Sequence, residues 1–228
     1  MLTLGIDTST EICGIALLDE EELLAEMNLN LHRAHSEKLV QAVNDLLQTM
    51  DMTPSAIQLI AVSAGPGSFT GLRIGMSAAK GFALSLNLPL TTVVTLDALA
   101  FQAPVSDAVI CPIIKARKDE VYAAVYSKRR MSEIERISGY RCMKVNQLGT
   151  LIPEDTLILG NGTSSFARQI HDSLGERIHF APAMFSCLRG YSIAYVGLDK
   201  YRQTGQNEAD SAKPFYIQEF ISGAKFRT

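Results

Sequence analysis

The sequence of 228 residues contains no tryptophan and only 7% aromatic residues, yet hydrophobic residues make up 47% of it. That hydrophobic content excludes wholesale disorder, because a chain of this length can bury a substantial core. A basic excess is also absent, since 21 basic and 24 acidic side chains give a net charge of −3. We therefore expect no surface field that could hold nucleic acid unaided.

Closely spaced cysteines and long hydrophobic runs are missing as well. The four cysteines form no C-x-x-C pair and follow no secretion signal, which favours reduced thiols in the cytoplasm. Apolar runs are too short and too often interrupted to span a bilayer, so no membrane association is predicted. The cysteines are Cys13, Cys111, Cys142 and Cys187.

The most distinctive stretch covers residues 65–75 and reads Gly-Pro-Gly-Ser-Phe-Thr-Gly-Leu-Arg-Ile-Gly. It follows an apolar run, residues 58–64, that predicts a buried strand, and it leads into a predicted helix over residues 72–86. Glycines allow close backbone approach, and the unpaired amides at a helix start attract negative charge. Two interpretations stay open: an anion or partner site, or a tight turn that only lets the helix pack closely.

Two enzyme motifs are absent from this stretch. A P-loop would need a lysine directly after Gly71, and Ser68 does not lie in the G-x-S-x-G pattern of a hydrolase nucleophile elbow. The following helix is apolar nearly all round, with Lys80 its only charge between Gly75 and Leu86. Such a helix must be buried on more than one side. The second cover is either the rest of this chain or another protein.

The strand pattern predicts two halves built on one plan. Three strands separated by polar turns open each half, and Lys115 stands in the second half where Asp7 stands in the first. We expect a first lobe over residues 1–104 and a second over 105–228, with the final segment packing back on the first. The predicted strands cover residues 2–7, 12–18 and 23–31 in the first half and 108–115, 121–126 and 134–143 in the second.

A helix with Ser36 as its N-cap is predicted after the third strand. His32, His35 and Glu37 lie close together there, so a metal site has to be considered. Zinc-binding histidines on a helix usually stand four residues apart, and capping is therefore favoured over metal binding. The remaining predicted elements are strands at residues 91–94 and 156–159 and helices at 96–102, 164–174 and 186–201.

These features together resemble the TsaB family, also called YeaZ, a bacterial subunit of the machinery that makes threonylcarbamoyladenosine (t6A) in tRNA. The resemblance is dense through Leu90, thinner to Tyr126 and patchy afterwards. It is carried by Ile6-Asp7-Thr8-Ser9-Thr10, His35-Ser36-Glu37, residues 65–75, Ala79-Lys80-Gly81 and Glu120-Val121-Tyr122. A short further match, Pro214-Phe215-Tyr216, lies near the end of the chain.

The resemblance implies an α/β, actin-like (ASKHA, ribonuclease H-like) fold of two similar lobes, with mixed sheets flanked by helices. It also implies a noncatalytic scaffold required for threonylcarbamoyl transfer to adenosine 37 of tRNA. Chains of this type pair with the homologous catalytic subunit TsaD and are joined by the ATPase TsaE. They form a homodimer when alone and meet tRNA only through the complex.

The same resemblance places the partner surface on two helices, over residues 36–50 and 71–86. No catalytic residue, metal or cofactor is assigned, and ATP or ADP at a shared interface is left open. A vestigial nucleotide or anion pocket is expected at Asp7, Thr8, Ser9, Gly65, Gly67 and Ser68. The expected partner contacts are Glu37, Val40, Leu47, Arg73, Met76, Ala79 and Lys80.

The chain departs from the family pattern at two positions. Lys115 replaces an aspartate at the second-lobe phosphate turn, and the late Pro-x-Tyr-x-Arg motif ends in Gln218. An actin-like nucleotide site uses a carboxylate from each lobe around magnesium and phosphate, so a lysine removes metal coordination, although it could hold an anion. Alternative functions are an actin-like ATPase, a self-contained homodimer and a glycoprotease-like peptidase using Ser68 with His35.

Overall fold

The computed structural model describes residues 1–30, 35–105, 107–128, 130 and 134–217, and for residues 35–37 it describes the backbone alone. The described residues form two β-sheets with helices packed against them. In chain order, the first part comprises β1 (Leu2–Asp7), β2 (Ile12–Asp19), β3 (Glu22–Asn30), α1 (His35–Thr49), β4 (Leu59–Gly65), α2 (Phe69–Leu86), β5 (Leu90–Val94) and α3 (Thr95–Gln102).

The first sheet has five strands in the order β3-β2-β1-β4-β5. The strands β1, β2 and β3 form an antiparallel meander, whereas β4 and β5 run parallel to β1. Helices α1 and α2 bury their apolar sides against one face of this sheet, where Leu4 and Ile6 point. Successive side chains along a strand point to opposite faces of the sheet, so the strands also have apolar side chains on the second face. A helix from later in the chain covers that second face.

The second part of the chain builds a mixed sheet in the order β10-β7-β6-β11-β12, with β8 pairing β6 and β9. Its helix α4 packs against β6, β11 and β12. The elements are β6 (Val109–Lys115), β7 (Glu120–Ala123), β8 (Tyr126–Lys128), β9 (Ile134–Arg136), β10 (Arg141–Lys144), β11 (Thr156–Leu159), α4 (Asn161–Leu174), β12 (Ile178–Phe180) and α5 (Gly190–Thr204).

Two predicted strands of the second half are divided in the structure. Residues 121–126 contribute to β7 and β8, because Ala124 and Val125 leave the ladder and the Val125 amide donates to Ser138 Oγ at 2.8 Å. The predicted strand over residues 134–143 is likewise split into β9, which pairs β8, and β10, which pairs β7. The only local sign of the second break is Ser138-Gly139, a turn-forming pair that lies between β9 and β10.

Several predicted helix starts differ from the structure. Helix α2 begins at Phe69 and α4 at Asn161, each three residues before its predicted start. Helix α1 already includes His35, so Ser36 lies within the helix and is not its N-cap. Helix α5 begins at Gly190 instead of residue 186, because Arg189 has an extended backbone at φ −97° and ψ 144°. None of the described helices is both long and apolar enough to cross a membrane.

Helix α5 lies on the first sheet, on the face opposite α1 and α2, although it follows the second sheet in sequence. Its start is fixed by Glu26 of β3, whose carboxylate accepts from the Tyr191 amide at 3.0 Å and from Arg189 Nε at 2.8 Å. A carboxylate at a helix start is favoured by the helix dipole. The first sheet is therefore enclosed by helices from both halves of the chain.

The last described segment, residues 206–217, returns along the first sheet, and we call it the C-terminal strap. Near its start, the Glu208 amide donates to the Leu90 carbonyl at 2.7 Å. Near its end, the Phe215 amide donates to the Ala64 carbonyl at 2.7 Å. These main-chain bonds place the strap beside the start of β5 and the end of β4 and lead it to the start of α2.

Candidate functional site

The glycine-rich stretch forms a turn between β4 and α2, as its sequence predicts. Gly65 ends β4 at φ +116°, a conformation that favours glycine, and Ser68 is the N-cap of α2. The Ser68 hydroxyl oxygen accepts from the Gly71 amide at 3.2 Å, which satisfies one of the free amides of the first turn. At the other end, Asn87 stops the helix in the left-handed conformation.

The turn packs directly on Thr8 and Ser9, which follow β1. The Ser68 amide donates to the Ser9 carbonyl at 2.7 Å, and the Thr8 hydroxyl donates to the Gly71 carbonyl at 2.8 Å. A Cβ atom at Gly71 would collide with the Thr8 carbonyl oxygen. The amides of Ser68 and Gly71 are thus used inside the chain. This contact supports the interpretation in which the glycines allow close packing.

Asp7 is fully buried at the end of β1. Its Oδ1 accepts from the Ser9 amide at 3.0 Å, whereas Asp7 Oδ2 and Ser9 Oγ have no hydrogen-bond partner in the described part of the chain. Burial raises the pKa of Asp7 above the ordinary 3.8, because the charged form loses its hydration there. The site therefore contains a carboxyl group with one unused oxygen.

A magnesium-bound nucleotide would need carboxylates on both sides of the cleft between the two sheets. Asp7 could serve on the first side. On the second side residue 115 is an exposed lysine, and its backbone amide donates to Asn161 Oδ1 at 3.0 Å. Among the described residues, no three histidine, cysteine, aspartate or glutamate side chains are grouped to hold a metal ion. These donors do not fit a magnesium-bound nucleotide.

An open cleft of about 230 Å³ lies between the β1–β2 turn and the start of α4. The six predicted pocket residues do not line it, although Ser9 is the direct neighbour of Thr10. The sequence signal for its second side was the strand-glycine-helix pattern around Gly160. The cleft is lined by Thr10, Glu11, Ile12, Asn161, Ser164, Ala183, Ser186 and Cys187.

Cys187 is the one thiol among these lining residues, and its environment disfavours reactivity. Burial raises the pKa of the Cys187 thiol to about 11, and the charges of Asp7 and Glu26 act in the same direction. A thiol with such a pKa stays protonated at neutral pH, and the thiolate is the reactive form. Cys187 is therefore a passive part of the cleft wall and not a nucleophile.

The predicted partner residues separate into buried and exposed groups. Leu47, Met76 and Ala79 are buried in the core between α1, α2 and the first sheet, so they present no surface to a partner. The small side chains of α2 let the helix pack closely on its own neighbours. In contrast, Val40 and Arg73 are exposed and Lys80 is half-buried, and the Glu37 side chain lies outside the described residues.

One stripe of α2 faces away from the core, and we call it the α2 face. Leu84 on this stripe is 86% exposed, and Phe69 is 54% exposed. A Cβ atom at Gly81 would meet no atom within 4 Å, so the stripe is open beside Leu84. The α2 face consists of Phe69, Arg73, Ser77, Gly81 and Leu84, all of which are exposed.

The C-terminal strap adds Tyr216 to one end of the α2 face. The Tyr216 ring stacks on Phe69 with 5.4 Å between the ring centroids. The Arg73 guanidinium lies 3.8 Å from the Phe69 centroid, and Arg73 Nε donates to the Tyr216 hydroxyl at 3.4 Å. The sequence did not predict this cluster of Phe69, Arg73 and Tyr216. Its only signal in the sequence was the family resemblance at Pro214-Phe215-Tyr216.

Comparison with known proteins connects this architecture to one group. The family model described as TsaD, tRNA N6-adenosine threonylcarbamoyltransferase, matches residues 22–214. The tRNA threonylcarbamoyladenosine biosynthesis protein TsaB of Bacillus subtilis is 36% identical over 202 residues, which cover 88% of each chain. TsaB of Haemophilus influenzae is 26% identical over 234 residues, covering 97% of this chain and 95% of the relative.

Solved structures give the same grouping. YeaZ from Pseudomonas aeruginosa matches with a TM-score of 0.78 and 26% identity, covering 95% of this chain and 99% of that one. The activator of 2-hydroxyisocaproyl-CoA dehydratase from Clostridium difficile, solved with ADPNP, matches with a TM-score of 0.51 and 9% identity, covering 95% and 100%. The second match concerns the fold alone. The predicted actin-like α/β fold is confirmed.

Proposed function

Because the chain belongs to the TsaB family, we propose that it acts in t6A synthesis on tRNA as a noncatalytic scaffold for a TsaD-type catalytic subunit. The observation that carries this proposal is the α2 face, an exposed stripe of α2 with large apolar side chains near both ends. The catalytic subunit docks there. A TsaE-type ATPase joins the pair, and the complex brings in tRNA in the cytoplasm.

The chemistry of the α2 face suits a protein partner. Leu84 and Phe69 are large apolar side chains that the chain itself leaves exposed, one near each end of α2, so each can be buried by a protein partner. Gly81 between them leaves room for a side chain of the partner. Arg73 and Tyr216 belong to the residue types that dominate binding energy at protein interfaces.

The noncatalytic role is supported by how the candidate reactive groups are used. The Ser68 hydroxyl caps α2 through the Gly71 amide, and the Asp7 carboxyl is buried behind the turn. Lys115 stands where a second metal-binding carboxylate would be needed. A peptidase would need an accessible nucleophile and base, and an ATPase would need metal ligands on both sides of the cleft.

The surface that docks the catalytic subunit also explains the predicted homodimer. In the absence of the partner, the α2 face of a second copy covers the same side chains. The site proposed for ATP or ADP is the interface with the partner. The net charge of −3 agrees with a chain that meets tRNA only within the complex.

The test is a reconstituted t6A reaction with TsaD-type and TsaE-type subunits, with and without this chain. We expect no modified tRNA when the chain is omitted. Leu84→Glu should weaken binding of the catalytic subunit at least about tenfold, because it places a charge in an apolar interface. Met184→Glu is the matched control, since Met184 is 72% exposed but lies outside the α2 face.

Three outcomes would contradict the proposal. They are unchanged product without the chain, equal binding by Leu84→Glu and the unsubstituted protein, and equal weakening by the Met184→Glu control. Titration with ATP and magnesium adds a further check. Submillimolar binding that is lost in Asp7→Ala would favour an enzyme over a scaffold.

A further inference from the structure

Asp97 of α3 joins the first part of the chain to two tyrosines of the second part. The Tyr126 hydroxyl donates to Asp97 Oδ1 at 2.7 Å, and the Tyr140 hydroxyl lies 2.8 Å from Asp97 Oδ2. Burial raises the pKa of both tyrosines, and the Asp97 charge raises it further. Both hydroxyls therefore stay protonated and keep donating to Asp97 across the physiological range.

The Tyr140 ring in turn contacts the C-terminal strap. Phe215 meets it edge-on, with 5.5 Å between the ring centroids and 67° between the ring planes. The Arg136 guanidinium lies 4.1 Å from the centroid of the same Tyr140 ring. Phe215 also packs against the core of the first sheet and donates its amide to Ala64. The position of Phe215 thus depends on both parts of the chain.

The next residue, Tyr216, reaches the α2 face by stacking on Phe69. Consecutive side chains of an extended segment point in opposite directions, which lets Phe215 contact Tyr140 while Tyr216 contacts Phe69. The carbonyl of Phe215 and the amide of Tyr216 belong to one rigid peptide unit, so a displacement of the Phe215 backbone also displaces the start of Tyr216. Asp97, Tyr126, Tyr140, Phe215 and Tyr216 form one chain of contacts, which we call the latch.

We propose that the latch is a conformational device through which the second part of the chain controls the order of the start of α2. With the latch closed, Tyr216 holds Phe69 and Arg73 in one arrangement. With the latch open, the end of the strap leaves Phe69, and the first turn of α2 frays more readily. The functional meaning of this control rests on the proposed function, because the α2 face is there the docking surface for the catalytic subunit.

Amide hydrogen exchange of the full chain, followed by mass spectrometry, tests the latch. Tyr140→Ala removes both the hydroxyl and the ring, and we expect exchange at residues 69–73 and 215–216 to rise about tenfold through local opening. Ile137→Ala is the matched control, because Ile137 is 52% exposed in the same loop. Residues 2–7 of β1, which lie away from the latch, should exchange unchanged in both variants.

Tyr140→Phe and Asp97→Asn are milder substitutions that distinguish opening of the latch from a general loss of folding. Tyr140→Phe keeps the ring contact with Phe215 and removes only the hydroxyl, so its effect at residues 69–73 should be smaller than that of Tyr140→Ala. Asp97→Asn should have an effect between those of the two tyrosine variants. A rise confined to residues 137–143, or an equal rise throughout the chain, would overturn the proposal.

Measuring binding of the TsaD-type subunit together with hydrogen exchange tests the latch and the docking surface independently. If Leu84→Glu abolishes binding while Tyr140→Ala leaves exchange at residues 69–73 unchanged, the latch is wrong and the docking surface stands. If Tyr140→Ala raises that exchange while Leu84→Glu binds normally, the latch stands and the docking surface is wrong. Weaker binding by Tyr140→Ala, with raised exchange, supports both.

Discussion

The Thr8 hydroxyl occupies the space in which a side chain at residue 75 would stand. A Cβ atom at Gly75 would collide with Thr8 Oγ1, and the same hydroxyl donates to the Gly71 carbonyl one turn earlier on α2. The glycines of this helix therefore let the polar turn after β1 rest directly on the helix backbone. The anion site considered from the sequence is, at this point, filled by the chain itself.

This contact predicts opposite effects for two glycines of the same helix. Gly75→Ala should destabilise the protein by about 1–3 kcal/mol, because the added methyl group pushes Thr8 away. Gly81→Ala should stabilise it by about 0.5–1 kcal/mol, since alanine favours the helix and the position is open. Denaturant unfolding measures both changes. Equal effects of the two substitutions would show that the Thr8 contact is wrong.

Asp7→Asn should raise the free energy of unfolding by about 1–3 kcal/mol near neutral pH, because it replaces a carboxyl group whose charged form loses its hydration on burial. The folded-state pKa of Asp7 is raised, so the unsubstituted protein should lose stability as pH rises above 3.8, relative to the variant. Thermal unfolding from acidic to neutral pH measures this difference.

The same substitution tests the noncatalytic role. Asp7→Asn should support t6A formation in the reconstituted reaction as well as the unsubstituted protein does. A loss of product, with the variant folded and still bound to the catalytic subunit, would indicate that the carboxylate takes part in chemistry. Ser63→Ala provides a comparison, because the Ser63 hydroxyl accepts from the Thr8 amide beside Asp7 at 3.3 Å without carrying charge.

Glu208 anchors the C-terminal strap, and its ionisation should control strap docking. Burial acts to raise the pKa of Glu208, but hydrogen bonds from Thr92 and Lys200 outweigh it and lower the pKa below 4.5. A lowered carboxyl pKa contributes stability above pH 4.5 that is lost as pH falls through the folded-state value. Hydrogen exchange in the strap, relative to β1, should therefore increase in acid.

Glu208→Gln should show this strap opening already at neutral pH and should respond less to acid. The carboxylate accepts from the Thr92 amide at 2.6 Å and from Lys200 Nζ at 2.9 Å, and a neutral amide holds the ammonium less strongly. Glu154→Gln is the control, since Glu154 is exposed and lies outside the strap. The same acid response in both variants would contradict the anchoring role.

Lys128 should make stability rise with pH in the alkaline range. Its side chain is fully buried on β8, where Nζ donates to the carbonyls of Phe101 and Ala103 at the end of α3. Burial lowers the pKa of Lys128 from 10.5 to about 8. Between these values the unfolded chain binds the proton and the folded chain does not, so the free energy of unfolding increases with pH.

The measurement is urea unfolding at several pH values between 7 and 10.5 for the unsubstituted protein and for Lys128→Met. The difference between the two proteins should change with a slope of at most about 1.4 kcal/mol per pH unit. The methionine variant removes the titrating group and keeps a side chain of similar length. Parallel curves would mean that Lys128 keeps its proton in the folded state.

Helix α2 shows how far the sequence could define the docking surface. Its small and apolar residues predicted a helix covered on more than one side, and that helix forms. The sequence did not say which side stays open, so Met76 and Ala79, now known to be buried, were assigned to the partner. A charge at Ala79 would disrupt the core, whereas Gly81 and Leu84 are the positions at which docking can be tested.

The sequence by itself determined the repeated strand pattern, the glycine turn and the TsaB resemblance, because each depends on residues that are neighbours along the chain. Only the tertiary structure decided that Thr8 fills the turn, that α5 covers the first sheet and that Tyr216 reaches Arg73. The partners in two of these contacts lie 63 and 143 residues apart. Contacts over such separations leave no local periodicity, so they are fixed only when the whole chain packs.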